Sequence, residues 1–263
     1  MASSPSFLWE GTLIALGVFV VVHLSLLAAQ DTDEFLLYAK IAELATHLFA
    51  VPAILRSRHM REQILITVIV SLVFHSIDSF FEDVNPVPYQ RLDLAMSTAL
   101  ISTVFLKFLC RTEHVMGIIV LFAGVAASFE FGNMISVGIT GTVLILILTF
   151  PCLDQAAYKV VNWLVFVLTF GGKAPPKSEL KLKDFRGKLS LAFFAQLLSV
   201  VFFFVGRASD GLARWSHGFW HTFAFLALFV LVDVVALRED EERKLRRTKK
   251  LARPSRTSYK LLG

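Results

Sequence analysis

Trp215-Ser-His-Gly-Phe-Trp-His221 opens the last apolar stretch of the chain. It continues as Thr222-Phe-Ala-Phe-Leu-Ala-Leu-Phe-Val-Leu-Val232, passes Asp233 and ends at Leu237. A helix needs ~20 mostly apolar residues to cross a bilayer, and this stretch supplies them. His217 and His221 are spaced i,i+4, so they project from one helix face a turn apart. Two imidazoles at that spacing can grip one metal ion. They equally suit a membrane interface, hydrogen-bonded to lipid headgroups beside Trp215 and Trp220. A third ligand elsewhere in the chain has to decide between the two.

Apolar runs of this kind recur throughout. The chain has 263 residues, of which 56% are hydrophobic, including 25 Phe. Composition and run length predict an all-α, polytopic membrane protein. The runs are unbroken, which excludes the short alternating segments of an outer-membrane barrel. Cys110 and Cys152 fall at helix ends on the side reached by the C-terminus and indicate no disulfide framework. The formal charge of +5 is carried in loops and the tail, where it sets membrane orientation and does not predict nucleic-acid binding.

Residues 8–29 form the first run. Its length would suit a signal peptide ending at Ala28-Ala29. No basic residue precedes it, however, and Glu10 lies in its first turn, so we read it as a retained helix. Residues 1–34 therefore comprise an N-terminal apolar helix and a short acidic loop. Spans are expected at Phe35–Leu55, 62–82, Leu92–Cys110, Val115–Phe131, Met134–Phe150, Leu189–Gly206 and Trp215–Leu237. This is a seven-transmembrane-helix bundle over residues 35–237. Asn85-Pro86-Val-Pro88 reads as a turn. Pro151-Cys-Leu-Asp interrupts the pattern, and 157–170 reads as a kinked continuation or an in-plane segment ahead of the polar linker to Lys188.

Lys and Arg positions orient the bundle. With the C-terminal side called inside, the tail 238–263 carries Arg238, Arg243, Lys244, Arg246, Arg247, Lys249, Lys250, Arg253, Arg256 and Lys260. Counting back, 207–214 is outside, 171–188 inside, 130–134 outside, 107–114 inside, 83–91 outside and 56–62 inside. The basic loops then share one side, as the positive-inside rule requires. The expected product is a multi-pass protein of the plasma membrane or an endomembrane, with a basic cytoplasmic tail that is disordered or membrane-apposed.

Orientation brings candidate site residues to one depth. His217 and His221 lie near the outer end of the last span. His75 lies in the outer half of its own span, and Asp93 begins the next. Ser71, His75 and Asp78 share one stripe. Three imidazoles suit zinc (Zn²⁺), and a three-His site leaves a fourth position for water, whose pKa falls to roughly 7. Asp93 or Asp78 is then a candidate base, and Ser71 an orienting hydroxyl. Blander roles also fit: Asp93 as a helix cap, Asp78 as an interfacial carboxylate, and Ser71 bonded to its own helix. Glu43 and His47, another i,i+4 pair, are expected to pair with each other. His23, His59 and His114 read as interfacial or loop residues without a role.

The residues of this pattern are Ser71-x3-His75-Ser-Ile-Asp78, Gln90-Arg-Leu-Asp93-Leu-Ala-Met-Ser97, Gly138-Ile-Thr-Gly-Thr142 and Ser216-His-Gly-Phe-Trp-His221. Their order resembles the CREST superfamily of seven-helix membrane hydrolases. That superfamily groups alkaline ceramidases, progestin and adipoQ receptors, and myomaker-like transmembrane proteins. Similarity is greatest to the last group, which also contains a GPI-anchor-processing phospholipase A2. The resemblance spans about Ala39 to Leu237. It implies zinc on His75, His217 and His221, with Asp93 and Ser71 as catalytic residues, and cleavage of an amide or ester bond in a membrane lipid. Within the same superfamily the alternatives are a non-enzymatic, myomaker-like role in membrane organisation or cell fusion with structural zinc, or a lipid-binding receptor. The partners to expect are a membrane lipid, as substrate or ligand, and a second copy of the chain as a homodimer.

Overall fold

The computed structural model describes residues 5–28, 34–109, 185–208 and 212–251, with isolated positions 159, 162, 163 and 167. The expected spans Val115–Phe131 and Met134–Phe150, the Pro151 interruption, both cysteines and the end of the tail lie outside the described residues. Those residues are all-helical. In chain order the helices are α1 (Pro5–Ala28), α2 (Phe35–Ala45), a 3-10 turn (Thr46–Ala50), α3 (Val51–Arg56), α4 (Arg61–Phe80), α5 (Val87–Leu109), α6 (Arg186–Ala208) and α7 (Ala213–Leu251). Five stretches among them are long and apolar enough to cross a membrane: Ser6–Ala28, Phe35–Arg56, Arg61–Phe80, Arg186–Gly206 and Ala213–Leu245. Five such helices are compatible with a multi-pass integral membrane protein.

Each helix is bound to the bundle by one stripe. On α1, Leu8, Thr12, Phe19 and His23 are buried at helical spacing, while Ile14, Val18 and Val21 face outward. Outward apolar residues are normal where lipid is the solvent. On α4, Ile64, Thr67, Ser71, Phe74, His75 and Ser79 make the buried stripe. On α5, Ala95 and Ala99 are fully buried, and Gln63 Nε2 donates to Thr103 Oγ1 at 3.0 Å across the α4–α5 seam. Small residues at i,i+4 let two membrane helices approach closely.

α7 is the central element and packs against α1, α2, α3, α5 and α6. Its flanks are filled by an aromatic cluster of Phe19, Phe35, Phe49, Trp215 and Phe219, against which Phe202 stacks at 4.6 Å from Phe219. Farther along, Leu226, Phe229, Val230 and Val234 enter the larger aliphatic core.

Three boundaries differ from expectation. The span Phe35–Leu55 is present as one helical stretch to Arg56, but its middle is 3-10 rather than α. Pro52 has no N–H to offer the carbonyl four residues back, and its ring crowds that carbonyl. The chain answers with the 3-10 turn from Thr46 to Ala50, where the Val51 N–H bonds Leu48 O. α5 begins at Val87, supported by the bond from Val87 N–H to Asn85 Oδ1 at 3.1 Å. Asp93 is therefore well inside the helix and buried, not a cap. The helical part of the tail continues α7 to Leu251 instead of leaving it at Arg238. Glu, Lys, Arg and Leu are strong helix formers. Arg243 pairs at i,i+4 with Glu239, and Lys244 at i,i+3 with Glu241.

Candidate metal centre

α4 and the first turns of α7 deliver three imidazoles to one point. His221 Nε2 lies 2.9 Å from His75 Nε2 and 3.0 Å from His217 Nε2. His75 and His221 are buried. His217 follows from the i,i+4 geometry of α7, and His75 from its place on the α4 stripe. The expected convergence of His75, His217 and His221 is present.

Glu43 joins them. Its Oε1 stands 3.0 Å from His75 Nδ1 and 3.7 Å from His217 Nε2. One ligand atom from each of Glu43, His75, His217 and His221 falls within 4.8 Å of the others. The expected Glu43–His47 pair does not form. Glu43 lies in the last turn of α2 and His47 in the 3-10 turn, where the backbone advances by a tighter rotation per residue. The two side chains part accordingly. Glu43 turns to His75, and His47 Nε2 meets Ser71 Oγ at 3.1 Å while His47 Nδ1 faces Leu44 O at 3.1 Å.

These residues fit a metal ion on two grounds. First, the Nε2 of His221 has one in-plane position, a hydrogen or a lone pair, and faces two other Nε2 atoms. It cannot serve both well by hydrogen bonding. Second, Glu43 Oε1 is buried, accepts no hydrogen bond of proper geometry and lies 3.7 Å from His217 Nε2, so its charge stands uncompensated beside the imidazoles. Buried polar atoms are ordinarily satisfied, and unsatisfied ones mark a site that a ligand completes. Three nitrogens at ~2.0–2.1 Å from a tetrahedral zinc stand roughly 3.3 Å from each other, a few tenths of an ångström wider than these.

The surroundings are apolar and aromatic. The Trp220 ring lies 4.6 Å from both the His217 and His221 rings, and Phe225 stacks on His221 at 5.8 Å. Phe74 covers His75 at 4.5 Å. Asp93 is buried in the neighbouring helix, and its Oδ1 makes no hydrogen bond. Ser71 reaches His47 on another helix rather than serving only its own. Asp93 is not one of the four clustered ligand groups.

Asp78 does not approach the imidazoles as a base. Its Oδ2 accepts from Arg214 Nη2 at 2.6 Å, and its main-chain carbonyl accepts from the same nitrogen at 3.2 Å. Arg214 Nη1 also reaches Glu43 Oε2 at 3.3 Å. The sequence places Arg214 in the 207–214 loop, and its position three residues before His217 is the one local clue to this role. His23 is likewise corrected. It is 1% exposed between Phe19 and Phe219, against Gly218, with both ring nitrogens unbonded. His59 remains a surface residue near Glu239, at 3.7 Å.

No family model, no curated protein and no solved structure matches the chain.

Proposed function

We propose that this protein is a zinc-dependent intramembrane hydrolase of lipids, cleaving an amide or ester bond, and a CREST-type protein closest to the myomaker-like branch. The observation that carries the reading is the meeting of three imidazole Nε2 atoms inside an apolar helix bundle. Ionisable groups at such positions are expensive and mark function. Zinc held by His75, His217 and His221 supplies Lewis acidity, polarising a carbonyl and acidifying water.

The chain's own residues supply the rest. Asp93 Oδ1, buried and unbonded, is the oxygen free to take a proton from attacking water and pass it to the leaving amine or alcohol. Ser71, bonded to His47 Nε2, is assigned to orient the Asp93 carboxyl. Trp220, Phe225 and Phe74 form an apolar wall that limits water and suits an acyl chain. The substrate enters sideways from the outer or lumenal leaflet, and the C-terminus is cytoplasmic. A tag on the tail that becomes accessible from outside intact cells would reverse this orientation.

A second reading has an observation of its own. Glu43 is a possible fourth ligand, and four protein ligands make the closed shell of a structural zinc. The protein would then organise membranes without turnover. Asp93→Asn separates the two. Asparagine keeps the shape but removes the base. Under the hydrolase reading zinc stays at one per chain while turnover of a ceramide or phospholipid substrate falls ~10²–10⁴-fold. An Asp93→Asn protein that retains zinc and full activity rules the reading out.

A further inference from the structure

Resting on the zinc-centre reading, we infer that Glu43 is not the fourth ligand but the residue that positions His75, and that Arg214 holds Glu43 in place for this. The two nitrogens of an imidazole lie on different edges of the ring. One ring cannot turn both toward one ion. His75 presents Nε2 to His221 Nε2 at 2.9 Å, so that edge faces the centre. Its Nδ1 faces Glu43 Oε1 at 3.0 Å. Glu43 Oε1 thus stands on the Nδ1 edge of His75, closer to that nitrogen than to His217 Nε2, which is 3.7 Å away. The contact lacks hydrogen-bond geometry without an ion, and a small turn of the His75 ring onto a bound ion would align Nδ1–H with the carboxylate, the pairing that fixes the tautomer and angle of a metal-binding histidine.

The other carboxylate oxygen is already committed. Arg214 Nη1 lies 3.3 Å from Glu43 Oε2, while Nη2 binds Asp78 twice. Arginine's planar fork can hold two carboxylates in fixed directions, which a lysine cannot. The three partners come from α2, α4 and the first turn of α7, the helices that carry the cluster. Their charges do not cancel. Two carboxylates face one guanidinium, and the surplus negative charge lies on the Glu43 side, beside the imidazoles. A divalent cation balances that surplus.

For Glu43 to ligate through Oε1 it would have to abandon His75 Nδ1, which has no other partner in its buried setting. The positioning arrangement leaves the fourth coordination position to water or substrate. That is the condition for catalysis, not for a structural site.

The test uses full-length protein in detergent, stripped and titrated with Co²⁺ alone. Wild type binds one ion with the visible spectrum of a three-nitrogen site, and His75→Ala does not bind. Glu43→Gln is expected to keep one-to-one binding and the same coordination number by X-ray absorption, with affinity 10–100-fold weaker. Arg214→Ala should match it, and Arg214→Lys should fall between the two. Helicity serves as the fold control, and Arg214→Lys provides a milder variant if Glu43→Gln fails to fold.

Loss of stoichiometric binding in folded Glu43→Gln, or a coordination number one lower, makes Glu43 a ligand and overturns the inference. So does wild-type affinity in Glu43→Gln. Wild-type affinity in Arg214→Ala removes the anchoring half. Failure of wild type itself to bind Co²⁺ or Zn²⁺ is a different result, which removes the metal centre.

Discussion

α7 carries two buried polar clusters, and they are built on opposite terms. Asp233 follows His221 by 12 residues, about 18 Å along the helix axis. Its carboxylate is 1% exposed and fully partnered. Arg56 Nε donates to Oδ1 at 2.6 Å, Trp9 Nε1 donates to Oδ2 at 3.3 Å, and Lys188 Nζ also bonds Oδ2. Lys188 further lies over the Trp9 ring, 5.4 Å from its centroid. One carboxylate thereby ties α1, α3, α6 and α7 with cations drawn from the chain. Among the described residues, the histidine cluster at the other end has one imidazole Nε2 facing two others, a carboxylate oxygen without a hydrogen bond, and only Arg214 as a cation. The first cluster is complete as folded; the second is complete only with an added cation. A buried charge that the protein compensates from its own side chains is structure, and one left open to an outside partner is a site.

This contrast breaks most readily with a chelator. At zinc a thousandfold above its Kd, bound metal should stabilise the wild-type fold by about 4 kcal/mol. Chelation should remove that increment, as followed by thermal unfolding in detergent. His221→Ala should lose the zinc and unfold at the same temperature with or without chelator. A chelator response preserved in His221→Ala would place the metal elsewhere.

Asp233→Asn should act the other way round. It strands Arg56 in a buried setting and frees Lys188. The expected cost is about 3 kcal/mol, the low end for breaking a buried pair, because Lys188 is 37% exposed and screened. Zinc content and the chelator response should be unchanged. Loss of zinc in a folded Asp233→Asn protein would mean that the two ends are coupled and the contrast is wrong.

The smallest effect sharpens the boundary between the clusters. Gly218 lies between the two α7 histidines in sequence, and a Cβ placed there would stand 2.6 Å from His23 Nε2. Gly218→Ala should push α1 outward and cost about 1–2 kcal/mol as an overpacked contact. Zinc stoichiometry should hold, because His217 and His221 face away from α1 toward α4. Equilibrium metal binding and denaturation of the same preparation read both.

Much of the site was legible before folding. The i,i+4 spacing in α7 places His217 and His221 together whatever surrounds them. The Lys and Arg distribution puts His75 at their depth, because loop charge fixes helix direction and direction fixes depth. The helical nature of the apolar runs followed from length alone, since backbone groups in lipid must be bonded within their own segment. The failures also have physical causes. Glu43 and His47 share a face only if the helix is regular, and Pro52 makes it irregular. Arg214 looked like loop charge because helix starts depend on which loop residues find partners. Asp233 has no role legible in the sequence because its three partners come from positions 9, 56 and 188, which no local pattern connects.

The sequence by itself determined that the chain is helical and membrane-spanning, which residues are ionisable within the spans, and which of them share a helix face. These are properties of spacing and transfer energy, and they need no neighbour to be defined. Only the tertiary structure decided which buried charges neutralise each other and which remain open. That choice depends on distances of a few ångströms between groups up to 224 residues apart. Coulombic and hydrogen-bond energies in a low-dielectric interior change steeply over just those distances.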